Sequence, residues 1–398
     1  MEILLAAMML FVFQQGSRNA LNHKRHEKKF RRHYERLFKL RLPHLDTVPR
    51  VLCRLPDPEL EQLKHTLVKT LLDKKVLHKY RLFERWFVVA VDGTGVVSFS
   101  ERHCEHCLHR TSKSGKTTYF QPVLEAKLIT ASGLSISLAT AWIANPDGEY
   151  DKQDCESKAF VRLAAQLKQQ YPRLSLCLTA DGLYPSQGFF EICRQNGWAF
   201  ILTFQDGHVP TVWEDVQGLL PQTPGQCQHE RRHHGTTLID QTVRWLNHLD
   251  YRGHTLAWLE CLEVVTAPKQ DQPRHHRFVQ LTNLTVTART VRVLSRTGRL
   301  RWTIENEGFN TQKHLGYSLE HKYARVSWQA AKNYYQCLQI GHLLNQLTIL
   351  STTFQSHLPG KMTCRHLWIC LIAFLLEGHL SQNPFDALAQ QRFQIRLR

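Results

Sequence analysis

Trp86-Phe87-Val88-Val89-Ala90-Val91-Asp92-Gly93-Thr94-Gly95 is the stretch on which the fold turns. Six apolar residues in unbroken succession are too few for a core helix and suit a strand buried on both faces. The acid and two glycines that follow predict a turn, with Asp92 at the strand's C-terminal end. A second stretch repeats the pattern. Leu174 to Ala180 reads as a buried strand, and Asp181-Gly182 follows it. Between the two lie strand-like segments at Tyr119–Ile129 and Leu134–Ile143 and a helical periodicity over Asp154–Gln170. Beyond them come a helix over Gly188–Asn196 and a strand over Ala199–Phe204. Three strands followed by helix, strand, helix and strand predict a mixed α/β sheet with flanking helices.

Working outward, four segments are expected. Residues 1–80 read as an N-terminal helical domain and residues 85–205 as the first part of an α/β core. Residues 206–290 read as a β-rich insertion, with strand-like runs at 242–246, 257–265 and 278–282. Residues 291–398 return to the core as helices over 301–322, 328–350 and 362–376. The apolar start, Met1 to Phe13, lacks a basic leader and a small-residue cleavage site, and it reads as a core helix. No run is long enough to span a bilayer, so a cytoplasmic location without membrane contact is expected.

The 398-residue chain carries 51 Lys and Arg against 34 Asp and Glu, a formal net charge of +17. Such an imbalance points to a polyanionic partner, with nucleic acid first. The densest basic run, His23 to Arg41, includes Lys24, Arg25, Lys28, Lys29, Arg31 and Arg32, with Phe30, Tyr34, Leu37 and Phe38 at helical spacing. Phosphate contact is the functional reading of that helix; a solvated bundle face is the alternative. The eleven cysteines are scattered, in contexts such as Cys177, Cys337 and Cys370 that suggest reduced, buried thiols.

Asp92 and Asp181, emerging from neighbouring strands, can converge on a hard cation such as Mg²⁺, which takes oxygen ligands. The best third acid is Glu305, in Arg301-Trp302-Thr303-Ile304-Glu305-Asn306-Glu307 at the start of the predicted helix. Arg301 and Glu305, four apart, share a helical face and could equally form a plain surface ion pair. Glu307 ranks second. Asp154 and Glu156, with Asp147 and Asp151 just before them, read as acids serving a helix N-terminus.

These features together resemble the DDE transposases of bacterial insertion sequences, in the subgroup with a Tyr-x2-Arg-x3-Glu-x6-Lys signature. The resemblance runs from about residue 85 to about residue 325. It rests on Asp92-Gly-Thr-Gly, Thr179-Ala180-Asp181-Gly182-Leu183-Tyr184, and Arg301-Trp302-Thr303-Ile304-Glu305 through Phe309, Lys313, Gly316 and Tyr317. The signature's Tyr falls on Gly298 and its Lys on Gln312, with Lys313 next. The resemblance implies a ribonuclease-H-like core interrupted by the β-rich insertion. It also implies catalytic Asp92, Asp181 and Glu305 holding two Mg²⁺ or Mn²⁺ ions, and Arg301 and Lys313 on DNA phosphates. The activity would be cleavage at transposon ends and transfer of the 3′-hydroxyl into target DNA. Partners would be double-stranded DNA, as terminal inverted repeats and target, and a second copy of the chain on paired ends, in a prokaryotic nucleoid. A nuclease that cuts without joining and a non-catalytic, transposon-derived DNA-binding protein are the alternatives. Trp302 is expected either to stack on a displaced base or to pack in the core.

One motif stands outside this scheme. Cys104-x2-Cys107, flanked by His103, His106 and His109, has the spacing of half a zinc site. Its completion by His109 or by Cys227, His229, His233 and His234 requires folding to bring them together; the expected state is a turn without metal. The His229–His234 run itself reads as a basic loop gripping DNA.

Overall fold

The computed structural model describes residues 1–268, 272–325, 327–358, 360, 362–380 and 394–397. The end of the predicted C-terminal segment, 381–393 and 398, lies outside the described residues. The N-terminal part is helical, as expected: α1 (Glu2–Val12), α2 (Arg18–His26), α3 (Lys28–Phe38), α4 (Val48–Leu52) and α5 (Asp57–Asp73). Ser17 starts α2 by accepting a hydrogen bond from the Ala20 N–H, the arrangement that satisfies an otherwise orphaned amide. The apolar α1 is a core helix. Ala6, Ala7, Leu10 and Phe11 are buried in a cluster shared with Tyr334, Tyr335 and Leu338.

The centre is a sheet whose strands run β1 (Phe87–Phe99), β2 (Leu108–Thr111), β3 (Thr117–Ile129) and β4 (Ser135–Trp142). After helix α6 (Glu156–Gln170) come β5 (Leu176–Ala180), α7 (Gln187–Asn196) and β6 (Ala199–Thr203). β3 pairs antiparallel with both β1 and β4, whereas β5 pairs parallel with β1 and β6 parallel with β5. One face of this sheet (Val89, Val91, Leu178) packs under α6 and α7, through Phe160, Leu163 and Phe190. Alternation puts Val88, Ala90 and Cys177 on the other face, where they meet Val291, Leu294 and Ile304.

Two local expectations are corrected. Asp92-Gly93-Thr94-Gly95 is not a turn: β1 runs on through it to Phe99, paired with β3 and bulged between Gly95 and Val97. The neighbouring β5, by contrast, stops at Ala180. At the level of Asp92 the sheet is therefore paired on the β3 side and open on the β5 side. Cys370, read as buried, is exposed, whereas Cys177 and Cys337 are buried as expected.

The segment after β6 opens with α8 (Pro210–Leu219), a helix the sequence reading missed although Pro210 at its first position favours a start there. It continues as β7 (Cys227–His234), β8 (Thr237–Tyr251), β9 (His254–Thr266) and β10 (Arg274–Thr282); the loop expected over His229–His234 is instead a strand, paired along its length with β8. These strands extend the central sheet, because β10 pairs with β6. The order of the ten-stranded sheet is β2-β3-β1-β5-β6-β10-β9-β8-β7, with β4 on β3. The remainder is α9 (Val291–Arg299), a π-helical turn over Ile304–Asn310, α10 (Thr311–His314), α11 (Trp328–Leu350), α12 (Thr352–Gln355) and α13 (Cys364–Glu377). The single helix predicted over 301–322 is thus broken, with a wide π turn in its first half and Gly316 at φ +95° after α10. No helix among the described residues is long and apolar enough to cross a membrane.

Candidate functional site

The parallel pairing of β1 with β5 sets Ala90 against Thr179. Asp92 and Asp181 each lie two positions beyond that pair, Asp181 just past the end of β5; Asp92 shares the face of Ala90, and Asp181 lines a groove with Arg301 and Trp302. The two acids are 89 positions apart in the chain, yet the charge of Asp181 acts on Asp92. Each is held by its own backbone. The Gly93 N–H donates to Asp92 Oδ1, and the Leu183 N–H donates to Asp181 Oδ1, each at 2.9 Å.

The electrostatics place a third acid in the same neighbourhood. Burial pushes the Asp92 carboxyl up to about 6, and Arg301 opposes the rise; the charges of Asp181 and Glu156 add to it. Glu156 is raised as well, first by burial and then by Asp181. Tyr184, whose hydroxyl donates to Glu156 Oε2 at 3.4 Å, is raised by burial and then by Glu156, Asp181 and Asp92. The sequence reading assigned Glu156 to the helix N-terminus. It does sit in the first turn of α6, but its carboxylate is turned to the acids. Gly93 is what admits it, because a Cβ there would stand 2.5 Å from Glu156 Oε1. Asp154, the other acid of that segment, is taken up by the Ala144 N–H and by Arg162.

Arg301 does not form the surface pair with Glu305 that helical spacing suggested. It is buried in the turn after α9, and its Nη1 lies 3.3 Å from Asp92 Oδ2. Glu305 follows in the π turn and is half-buried. The segment from Arg301, at Asp92, leads through the π turn to Gly308 and Phe309, which lie against Lys127; Lys127 is paired with Ala90 of β1. Glu305 lies in the chain between these two contacts, and its charge is not among those acting on Asp92. Glu307 lies instead against Gly133, in the β3–β4 turn, level with the start of β1 and away from Asp92. Among the described residues Asp92, Asp181 and Glu305 are not drawn within 4.8 Å of one another as ligands of a single ion would be. The acids whose charges act on one another here are Asp92, Asp181 and Glu156, and carboxylate oxygens are the donors that a hard divalent ion takes.

Beside the acids is an open groove of about 520 Å³ lined by Asp181, Gln205, Gln280, Arg299, Arg301 and Trp302. Trp302 is 51% exposed, with the Arg301 guanidinium 4.4 Å from its ring centre. It is a surface residue and not the core residue that was one of its two expected roles. The two departures from the signature have local causes. A side chain at 298 would collide with Gln280 and Ile201, so α9 packs against the sheet only because that position is Gly. Gln312 is fully buried, bonded to Gln339 and His342, where a charged Lys would be costly. Lys313 is instead paired with Glu320 at 3.1 Å.

The basic N-terminal run forms α2 and α3, broken at Glu27. Arg25 donates to the Leu42 carbonyl and Lys29 to that of Glu377, so both are engaged in holding backbone. Lys28 and Arg32 are exposed, and Lys24 and Arg31 are half-buried.

Protein-family models and curated proteins provide no match to this chain.

Proposed function

We propose that the chain is a DDE-type DNA transposase with a ribonuclease-H-like core. The observation that carries the reading is that Asp92 and Asp181, each two positions beyond the last parallel pair of β1 and β5, come close enough for the charge of Asp181 to act on Asp92, with Arg301 on Asp92. Supporting it is the sheet itself: an antiparallel β4-β3-β1 unit with β5 and β6 added in parallel beside β1 is the arrangement such a core requires. The π turn carrying Glu305 supports it too, since such turns concentrate at functional sites. So does the charge of +17.

In this reading Asp92, Asp181 and Glu305 hold two Mg²⁺ or Mn²⁺ ions, and Glu156 sets the charge of the cluster. The bound ions supply Lewis-acid stabilisation of the phosphate in flight and activation of the attacking oxygen. The chain's own groups do the rest. Arg301 orients Asp92 and offers its remaining donors to a phosphate in the groove, in the fork geometry that suits phosphate. Trp302, at the groove's rim, offers a face on which a displaced base can stack. Lys28 and Arg32 of the exposed basic surface contact phosphate along double-stranded DNA, at the terminal inverted repeats and the target, in a prokaryotic nucleoid. A second copy of the chain completes the assembly on paired ends.

The test uses DNA from both flanks of the chain's own coding sequence, pre-cut to leave a 3′-hydroxyl, with a supercoiled target plasmid and Mg²⁺. Joined product that disappears with Asp92→Asn supports the transposase. Cuts without joining make it a nuclease of the same core. Binding without either leaves a DNA-binding protein.

A further inference from the structure

The connection from β1 to β2, residues 100–107, has little regular structure of its own, yet it gathers three soft ligands. His103, Cys104 and Cys107 offer a ring nitrogen and two sulfurs all within 4.8 Å of one another. The two sulfurs are 3.2 Å apart and unbonded. Two thiolates on one tetrahedral zinc lie roughly 3.7 Å apart, given Zn–S bonds of about 2.3 Å. The sequence reading looked for the other half of the site in His109 or in the Cys227–His234 run. That run is β7, at the opposite edge of the sheet from β2, and the third ligand is the adjacent His103.

The surroundings are those of a built site. The His103 Nδ1 is buried and has no hydrogen-bond partner, and its ring is stacked on Phe99 with centres 4.1 Å apart. Gln121 of β3, 3% exposed, turns its amide N–H toward both sulfurs, at 3.2 and 3.5 Å. The His106 N–H also points to the Cys104 sulfur. These donors stabilise thiolate, the form that binds metal. Asn145 fixes the turn from outside. Its side chain donates to the Cys107 carbonyl at 3.0 Å, and its own N–H donates to that of His106 at 3.2 Å.

We infer that His103, Cys104 and Cys107 bind one zinc ion, with water as fourth ligand, and that this ion staples the β1–β2 connection onto β3. The inference stands apart from the proposed DNA chemistry, because these ligands are soft and lie beyond the end of β1, 11 or more positions after Asp92.

The test is the full chain, purified under reducing conditions, stripped with a mild chelator and titrated with Co²⁺ and then Zn²⁺. Wild type is expected to show thiolate-to-cobalt charge-transfer absorption at roughly one equivalent per chain, abolished by Zn²⁺. The bands should vanish in Cys104→Ser, weaken in His103→Ala and persist in both Asp92→Asn and Cys227→Ser. Wild type that takes up cobalt without thiolate bands, or whose Cys104 and Cys107 are recovered as a disulfide under reducing conditions, overturns the inference. Because the decisive readout is on the wild-type chain, an unfolded variant cannot obscure it.

Discussion

Arg301 and Asp92, 209 positions apart in the chain, meet at 3.3 Å with side chains only 10% and 21% exposed. This contact ties the segment that bears Glu305 to the strand that bears the first acid. It also offsets part of the desolvation that Asp92 suffers. Arg301→Ala is expected to lower DNA cleavage by roughly a hundredfold, the scale for losing one positioned charge donor. It should also move the pH–rate profile to higher pH, since Asp92 then loses the cation that favours its ionised form. Arg301→Lys should restore part of the profile and less of the rate, because it keeps the charge and loses the fork. An unshifted profile in Arg301→Ala would remove the electrostatic role.

Asp92→Asn should separate stability from activity. Burial pushes the folded carboxyl up to about 6 from its ordinary 3.8. Its contribution is therefore fully present below about pH 4 and is lost as pH rises through 6. At neutral pH the wild-type, metal-free protein carries a penalty of at most about 3 kcal/mol. Leaving Arg301 unpaired reduces the net gain of the Asn variant to roughly 1–2 kcal/mol. Urea denaturation at pH 7.5 should show that gain, and at pH 4 it should largely disappear. A variant less stable than wild type at pH 7.5 contradicts the sign.

The identity of the third acid is decided by three single variants assayed at saturating Mg²⁺. Glu305→Gln is expected to abolish cleavage. Glu156→Gln should reduce it about tenfold and shift the profile to lower pH, because removing a neighbouring charge lets Asp92 ionise sooner. Glu307→Gln, against Gly133 and far from Asp92, should cleave as wild type does.

Gly93→Ala should push aside the Glu156 carboxylate, the flexible end of its side chain, and so cost the fold no more than about 1 kcal/mol, the low end of overpacking. The new Cβ meets the carboxyl group of Glu156, with Oε1 nearest. A double-mutant cycle with Glu156→Ala should therefore recover most of the loss in thermal unfolding. Additive losses would place the cost elsewhere.

Trp302→Ala tests whether the exposed ring serves DNA. Its exposure predicts a stability change within about 0.5 kcal/mol, whereas loss of base stacking should weaken binding to a frayed or pre-cut end by about tenfold. Unchanged affinity for such an end would leave the ring without a role in binding.

The parts of this architecture visible in the sequence were those dictated by local pattern. Continuous apolar runs marked the strands at Phe87 and Leu176, and each pointed to the acid after it. What stayed hidden depended on tertiary fit. Glycines are ambiguous without their neighbours: Gly93 suggested a turn and instead lies in a strand, leaving space for Glu156. The spacing of Arg301 and Glu305 implied a shared α-helical face, which a π turn and the partner Asp92 override. Glu156 itself carried no signal, since an acid in a first helical turn has an ordinary reason to be there. The runs at 242–246, 257–265 and 278–282 were legible as strands, whereas the polar, charged β7 gave the pattern of a loop, and no alternation shows that β10 would join β6 and continue the central sheet.

The most direct test of the acid site replaces Mg²⁺ with Fe²⁺ in the full chain, adds ascorbate and peroxide, and maps where the polypeptide backbone is cut by radicals formed at the bound ion. Fragment ends close to positions 92, 181 and 305, suppressed by excess Mg²⁺ and absent from Asp181→Asn, are the expected result. Cutting confined to 103–107, or none that Mg²⁺ suppresses, would contradict a divalent-metal site at these acids.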